Sequence, residues 1–403
     1  MKFALIVEGT RGDVYPLLRL GASLVAEGHG VRLCAPPDFE QVANAHGLEF
    51  WSLGVNVREF MDAAAAALHG GGLSMIREMD RFARVSIVNQ FRLLPIVAAG
   101  MDRVIAAGTI TGAASAAELH DIPYQYVAYT PALLQSAQHG PAFFPFQLRS
   151  RWVNRLLWGF VKAAIRVGVG RQINTQRRML GLAPVSDAMR HVSSERPVVA
   201  VDRPFASVPD DHPFEYDQIR CLHPLGGERL PAKLQSFLDA GRRPVYLGFG
   251  SMPDPKPVET TQRLLAAIER IGCRALISRG WAGLGAASLP EGVMVIDPVA
   301  HQTLFPQVAA VVHHGGAGTT HSAARAGVPQ IVIPHVLDQF YFARRVEDLG
   351  VGPPALFRRK LNVENLTELL RTTLENEFVA RRAQELGEEL AALGPANLDV
   401  FTR

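Results

Sequence analysis

Cysteine is scarce in this chain of 403 residues, which has only Cys34, Cys221 and Cys273. Their odd number argues against a disulfide framework, and their wide spacing matches no metal-binding motif. The sequence also has no run of about 18 apolar residues, the length that a membrane-spanning helix needs. We therefore expect neither a disulfide-stapled protein nor one that crosses a membrane.

A large excess of charge of one sign is absent too. The 41 basic and 38 acidic residues leave a net charge of +3, which is too small to indicate a nucleic-acid partner. Only five of the basic residues are lysine. The dominance of arginine suits phosphate and carboxylate recognition, or it reflects genome composition. Because strand-like Phe3–Val7 stands where an exported protein has its charged and apolar leader, we expect a cytoplasmic protein.

Short apolar runs alternate with helical periodicity along the whole chain. The length suits two domains of about 200 residues each, and the repeating order predicts an α/β protein with two doubly wound parallel sheets. An aperiodic, proline-containing segment at 206–230 is the predicted linker. Strands are predicted at 3–7, 31–35, 48–52, 112–114, 125–128 and 198–201, and then at 245–248, 274–278, 293–296, 309–312 and 330–333.

The glycine-rich loop between the last two predicted strands is the most informative segment. Gly315, Gly316 and Gly318 lie between a strand and a predicted helix over 319–326. Such a loop lets several N–H groups converge on an anion, and the helix N-terminus and threonine hydroxyls add to the attraction. The alternative is a plain strand-to-helix turn with His314 as a satisfied buried histidine. The spacing fits neither Gly-x-Gly-x-x-Gly nor a P-loop, so dinucleotide and nucleotide-triphosphatase readings lose support.

Three motifs in order resemble the donor-binding signature of nucleotide-sugar-dependent glycosyltransferases. They are HHGGAGTT at 313–320, AGVPQIVIP at 326–334 and the pair Asp338-Gln339. The resemblance is strongest to the bacterial natural-product branch of family 1, whose members glycosylate macrolide, glycopeptide and similar aglycones. UDP-glycosyltransferases and sterol glucosyltransferases are more distant. The resemblance extends from Lys2 to about Glu375.

The resemblance implies the GT-B fold, with two Rossmann-like domains that face each other across a cleft. Residues 1–205 would form the acceptor-binding domain and residues 231–384 the nucleotide-sugar-binding domain. A helix at about 385–403 would cross back to the first domain. A linker between the two domains would then act as a hinge.

Asp13 is the candidate catalytic residue, in the loop after the first strand. From the residues alone, it is either a helix N-cap or a carboxylate that takes a proton from an incoming hydroxyl. The two roles are compatible. The resemblance favours the second, because EGTRGDVYPL at 8–17 matches the loop in which the family carries its proposed general base.

The resemblance also implies donor-binding residues. Asp338 and Gln339 would read adjacent sugar hydroxyls, although Asp338 is also suited to a helix start. The diphosphate would contact His314, Gly315, Gly316, Gly318, Thr319, Gly250, Ser251, Arg11 and Thr10. The nucleoside would contact Val299, Arg279 and Trp281, and Trp281 serves equally well for packing.

An aromatic and basic stretch over residues 137–166 has three open interpretations. It is a helix packed on its own domain, the lining of an apolar acceptor site, or a surface that touches a membrane. In the second interpretation Phe143, Phe144 and His139 contact the acceptor.

The implied reaction is an inverting transfer of a sugar from a dTDP- or UDP-sugar to a hydroxyl of an apolar small molecule, such as a polyketide or macrolide. We expect no metal or other cofactor, since no Asp-x-Asp motif is present. We also expect no nucleic-acid partner, at most peripheral membrane contact, and a monomer or homodimer. The alternatives are a sterol or glycolipid glucosyltransferase that uses UDP-glucose, a nucleotide-sugar epimerase, or a non-catalytic binding relative.

Overall fold

Two parallel sheets organise the chain in the computed structural model, which describes residues 1–54, 56–70, 72–222, 229–285 and 288–403, without the side chains of 66–70 and 72–76. The first sheet has the strand order β3-β2-β1-β4-β5-β6-β7, and the second has the order β10-β9-β8-β11-β12. The strands are β1 Lys2–Glu8, β2 Gly30–Ala35, β3 Glu49–Ser52, β4 Arg103–Gly108, β5 Tyr124–Ala128, β6 Val198–Ala200, β7 Asp217–Ile219, β8 Val245–Gly248, β9 Ala275–Ser278, β10 Val293–Ile296, β11 Ala310–His313 and β12 Gln330–Val332.

Helices follow most of the strands, as parallel pairing requires. In the first domain they are α1 Arg11–Ala26, α2 Glu40–Ala45, α3 Val57–Gly70, α4 Gly72–Ala98, α5 Ala113–Leu119, α6 Arg151–Val167, α7 Val169–Met179 and α8 Ala188–Ser193. In the second they are α9 Ala232–Asp239, α10 Pro257–Ile271, α11 His301–Leu304, α12 Ala317–Arg325, α13 Gln339–Asp348, α14 Val363–Glu375 and α15 Glu377–Ala392. Short 3-10 turns lie at Pro37–Phe39, Pro131–Leu133, Phe305–Gln307, Arg358–Lys360 and Asp399–Phe401. Within the described ranges, no helix is both long and apolar enough to cross a bilayer.

The central strand β1 shows why the sequence forms a covered parallel sheet. Phe3, Leu5 and Val7 pack into one apolar cluster, while Ala4 and Ile6 pack into another on the opposite face. A strand buried on both faces is continuously apolar, as this one is. The predicted fold class, with two doubly wound α/β domains, is confirmed.

Two local predictions, the strand at 112–114 and the linker at 206–230, were wrong. Gly112 is the N-cap of α5, which begins at Ala113, and the strand in that region is β4, which ends in two alanines and a glycine with little strand propensity. The predicted linker at 206–230 contains β7, which pairs with β6 and extends the first sheet to Ile219. Residues 223–228 of that linker lie outside the described part.

The C-terminal segment is not one helix over 385–403. Helix α15 packs beside α12 in the second domain, and residues 393–403 continue without a long helix. Val400 and Phe401 then bury themselves in the core of the first domain. The backbone carbonyl of Val400 accepts a hydrogen bond from Gln125 at 3.2 Å.

The two domains contact each other at two separate places. On one side Phe205 stacks on Phe342 with ring centres 6.1 Å apart, and Arg345 donates to the Phe205 carbonyl at 3.0 Å. On the other side Val57 and Met61 of α3 join the apolar core of the second domain. These contacts join the two domains directly.

Candidate active site

Asp13 lies in the first turn of α1, which begins directly after β1. Thr10, and not Asp13, is the N-cap residue. Oδ2 of Asp13 accepts the backbone N–H of Thr10 at 2.8 Å and its hydroxyl at 3.3 Å. The carboxylate therefore closes a capping box, and the N-cap alternative for this residue is wrong by three positions.

The surroundings of Asp13 raise its basicity. Burial raises its pKa to about 6, while the hydrogen bonds from Thr10 oppose that rise. Gly9 makes room for the carboxylate, since a Cβ at that position would lie 2.3 Å from Oδ2. Behind the loop, the Tyr129 hydroxyl donates to the Asp13 carbonyl at 2.9 Å. A held carboxylate with a pKa near neutrality has the properties of a general base.

His314 fills the space between two loops of the second domain. A Cβ on Gly250 would lie 2.8 Å from its Cε1, and a Cβ on Gly316 would lie 2.4 Å from its Nε2. A side chain at either position would therefore force the imidazole to move. The imidazole is buried and its Nδ1 has no hydrogen-bond partner within the described residues. Burial lowers its pKa to about 4, so the ring is neutral at physiological pH.

The neighbouring His313 has a structural role. Its Nε2 lies 2.9 Å from Oε1 of Gln330, and its Nδ1 accepts the N–H of Gly315 at 3.1 Å. Gly315 has a φ of +89°, which a residue with a side chain adopts only with strain. The satisfied buried histidine of the alternative interpretation is thus His313, and not His314.

Two threonine hydroxyls at the start of α12 differ in their hydrogen bonding. The helix begins at Ala317, and Gly316 is its N-cap. Thr320 is buried and donates to the Gly316 carbonyl at 2.8 Å, whereas Thr319 is partly exposed and makes no side-chain hydrogen bond in the described chain. Gly318 faces open space. Ser251, after β8, likewise has a hydroxyl without a partner among the described residues. The loop therefore keeps free donors for an anion.

Asp338 and Gln339 follow β12 at the start of α13. The pKa of Asp338 is raised to about 7, mainly by burial and then by the negative charge of Asp13. The charge of Asp13, in the first domain, therefore acts on a carboxylate of the second domain. Oε1 of Gln339 accepts the N–H groups of His335 and Val336 at 2.8 and 3.1 Å. This glutamine therefore fixes the loop that presents Asp338.

The predicted nucleoside and phosphate residues lie on neighbouring loops of the second domain and at the start of α1. The N–H of Trp281 donates to the Gly250 carbonyl at 2.9 Å, and the guanidinium of Arg58, from the first domain, lies 5.8 Å from the Trp281 ring centre. Arg279 and Asp297 form an exposed ion pair at 3.5 Å. Val299 is partly buried, two residues after that aspartate. Arg11 is partly exposed, with no ion pair in the described part of the chain.

Comparison with known proteins decides the family. Residues 3–139 match the glycosyltransferase family 28 N-terminal domain, and residues 262–401 match the erythromycin biosynthesis protein CIII-like C-terminal domain. Glycosyltransferase GtfE of Amycolatopsis orientalis is 34% identical over 100% of this chain and 97% of its own. The chain belongs to the glycosyltransferases. The vancomycin aglycone glucosyltransferase of the same organism is 34% identical, over 96% of this chain and 93% of its own.

Solved glycosyltransferase structures agree on the fold. The glycosyltransferase of kitacinnamycin superposes with a TM-score of 0.71 at 19% identity, over 97% of this chain and 95% of that one. This likeness confirms the predicted GT-B arrangement of two facing Rossmann-like domains. Asp13 lies in the first of these two domains and the 314–319 loop in the second.

The structure places the residues predicted to contact an acceptor in two different environments. His139 is buried, with its ring 5.4 Å from that of Tyr341 in α13 and 6.2 Å from that of Trp158 in α6. Phe143 is 47% exposed, and Phe144 packs on Phe146. His139 therefore lies in a contact between the domains, while the two phenylalanines lie outside it. Their role in acceptor binding stays a prediction.

Glu8 is a buried carboxylate that the sequence analysis assigned to a loop and gave no role. It is the last residue of β1 and accepts hydrogen bonds from Ser86 at 2.6 Å, Thr109 at 3.0 Å and Gln90 at 3.1 Å. Burial raises its pKa. An acidic residue at the end of an otherwise apolar strand was the available signal. The network joins β1, α4 and the loop after β4 directly beside the Asp13 loop.

No metal-binding constellation is visible among the described side chains. Within that part of the chain, no group of three or more histidine, cysteine, aspartate or glutamate residues is placed to hold an ion.

Proposed function

We propose that this glycosyltransferase inverts the anomeric centre as it moves a sugar from a nucleotide diphosphate to a hydroxyl of an apolar small molecule. One observation carries the proposal. Asp13, a carboxylate with a pKa of about 6, lies close enough to Asp338 of the other domain for its charge to raise the pKa of Asp338. Gln339, next to Asp338, approaches the glycine-rich loop, since a Cβ on Gly315 would lie 2.9 Å from its carbonyl oxygen. A base and a sugar-reading group on opposite walls of a cleft suit a direct displacement.

Asp13 takes the proton of the acceptor hydroxyl as the oxygen attacks the anomeric carbon. The nucleotide diphosphate leaves from the opposite face and gains negative charge. The N–H groups at the start of α12, the Thr319 hydroxyl and the Ser251 hydroxyl stabilise that charge, each by up to about 3 kcal/mol. Neutral His314 fills the base of this loop and holds it open for the phosphates.

These donors make a divalent metal unnecessary in the proposed mechanism. Arg11, at the N-terminus of α1, supplies a positive charge close to the leaving group. Asp338 accepts hydrogen bonds from sugar hydroxyls, while Gln339 fixes the loop behind it and turns its Nε2 toward Met252 Sδ at 3.3 Å. The acceptor-binding first domain and donor-binding second domain, and the cytoplasmic location, stay part of the proposal.

The relatives favour a natural-product aglycone as acceptor and leave both nucleotides open. The name of one relative refers to an antibiotic aglycone, and a large apolar aglycone suits the acceptor class expected from the sequence. A sterol or glycolipid acceptor with UDP-glucose is the second candidate. Transfer of radiolabelled sugar to a macrolide, a glycopeptide aglycone and a sterol distinguishes them.

The decisive binding test is calorimetric titration with UDP and dTDP in the presence of a chelator. We expect one nucleotide to bind, Thr319→Val to weaken it by about tenfold, and Thr320→Val to leave its affinity unchanged, because that hydroxyl is bonded inside α12. If neither nucleotide binds, the glycine-rich loop is not a phosphate-binding site. Binding that needs added metal would refute the metal-free mechanism.

A further inference from the structure

Helix α6 exposes an apolar stripe along its outer face. Trp152, Leu156, Phe160 and Val167 are 67, 54, 66 and 55% exposed, respectively. At about 100° per residue they fall within an arc of about 80° on the helix. We call these four side chains the α6 stripe.

The opposite face of α6 is firmly attached to the first domain. Nδ2 of Asn154 donates to the Ala137 and Leu148 carbonyls at 3.0 and 3.1 Å, and Nε1 of Trp158 donates to the His139 carbonyl at 3.1 Å. Asn154, Trp158 and Val161 are buried. The helix is therefore packed on its own domain by one face only, and the stripe is left over after that packing.

Further large apolar side chains are exposed in the segments on either side of α6 in the sequence. Phe143, Phe146 and Leu148, in the segment before α6, are 47, 38 and 40% exposed, and Met179 at the end of α7 is 76% exposed. The four residues of the α6 stripe share one arc of one helix, and contiguous exposed apolar residues of this kind mark an interaction surface.

Positive charge borders the stripe. From residue 122 to residue 186 the chain contains no aspartate or glutamate. The eight basic residues in this range are Arg149, Arg151, Arg155, Lys162, Arg166, Arg171, Arg177 and Arg178. Arg177 is buried and paired with Glu118, and Arg149 is paired with Asp348, so the positive charge that matters here is that of α6 itself.

The basic residues of α6 form a row beside the stripe. At the same helical spacing Arg151, Lys162, Arg155 and Arg166 occupy a second arc of about 60° that flanks the apolar one. Arg151 lies 3.7 Å from Asp211. Arg155, Lys162 and Arg166 have no ion pair within the described residues, so their charges are available to an external partner.

We propose that the α6 stripe and its basic row dock this protein reversibly on a bilayer that contains anionic lipid. Tryptophan and phenylalanine insert between headgroups, while the basic row contacts the lipid phosphates. The arc geometry matches a helix lying in the plane of the interface. This inference goes beyond the proposed glycosyl transfer and does not depend on the donor or on Asp13.

Vesicle co-sedimentation tests the proposal with the full-length protein. We expect binding to vesicles of phosphatidylcholine mixed with phosphatidylglycerol, and binding at least about tenfold weaker to phosphatidylcholine alone or at high salt. The double variant Arg155→Ala and Arg166→Ala should bind about tenfold to thirtyfold more weakly. The double variant Trp152→Ser and Phe160→Ser should lose binding.

Two control variants test whether loss of any exposed apolar or basic side chain, outside α6, would weaken vesicle binding. Val258→Ser removes a side chain that is 66% exposed on α10 of the second domain, and Arg243→Ala removes an exposed arginine without an ion pair among the described residues. Both should bind vesicles like the unaltered protein. An unchanged thermal midpoint in every variant shows that the fold is intact.

Three results would overturn the proposal. In the first, the unaltered protein fails to sediment with anionic vesicles. In the second, the variant with Trp152→Ser and Phe160→Ser sediments as well as the unaltered protein. In the third, sedimentation velocity shows a dimer that the stripe variant dissociates, while no vesicle binding is found. A second copy of the chain would then cover the stripe.

Discussion

The backbone N–H of Thr10 lies 2.8 Å from Oδ2 of Asp13, so the carboxylate that closes the first turn of α1 is also the candidate base. The hydrogen bond fixes the direction of the side chain at the edge of the cleft. Burial sets its basicity and raises its pKa to about 6. Local helix chemistry and the proposed catalysis therefore use the same atoms.

The pKa of Asp13 predicts an acid limb in the pH profile. The base works only when ionised, so below about pH 6 kcat/KM should fall about tenfold for each pH unit. Above that value the Asp13 contribution should be constant. Initial rates with one donor and one acceptor, between about pH 4.5 and about pH 8, measure it. A flat profile through this range would contradict the assignment.

The charge of Asp13 also raises the pKa of Asp338. We therefore expect Asp13→Asn to lower the pKa of Asp338 from its value of about 7, since the repelling charge is removed. Carbon-13 NMR titration of the aspartate carboxyl groups measures the shift. An unchanged Asp338 titration would show that the two carboxylates do not interact across the cleft.

Gly250→Ala should weaken nucleotide binding through His314. The new Cβ would lie 2.8 Å from Cε1 of that histidine, which must then move toward the phosphate loop. Gly272→Ala is the matched control, because Gly272 has a φ of +68° against +59° for Gly250 but has nothing within 4 Å of its Cβ position. Both variants should lose about 1 kcal/mol of stability. Only Gly250→Ala should also raise the nucleotide Kd in calorimetry, and equal Kd values would count against the role of His314.

Glu8→Ala should destabilise the first domain. The substitution leaves the buried Ser86 and Gln90 without their carboxylate partner, at a cost of about 2 kcal/mol or more in the free energy of unfolding. Glu8→Gln retains an acceptor and should cost less. Urea unfolding measures both variants. Equal stability of Glu8→Ala and the unaltered protein would show that the network contributes little.

Much of the fold followed from sequence because its strands are short, apolar and bounded by turns. The β8–β12 strands lie at or within about one residue of their predicted limits for this reason. Strand β4 did not, since alanine and glycine make up half of RVIAAG and carry no strand preference, and pairing with β1 and β5 on its two sides fixes it. Strand β7 was equally hidden, as a three-residue polar edge strand inside an aperiodic segment.

The site was predicted as a set of motifs, and its connections required the structure. The loop HHGGAGTT indicates an anion site, but not which histidine is satisfied inside the fold and which fills the loop. Neither could the sequence distinguish Thr319 from Thr320, because that depends on a hydrogen bond within α12. The contact of Arg58 with Trp281 joins two domains and has no local sequence signal.

Turnover of Asp13→Asn tests the central claim most directly. The amide retains the shape and an acceptor for the Thr10 N–H but cannot take a proton, so kcat should fall by about 10² to 10⁴. Nucleotide affinity should stay within about twofold, and exposed Asp38→Asn should retain full activity. A normal rate for Asp13→Asn, measured with an intact fold and unchanged nucleotide binding, would contradict Asp13 as the base of this glycosyl transfer.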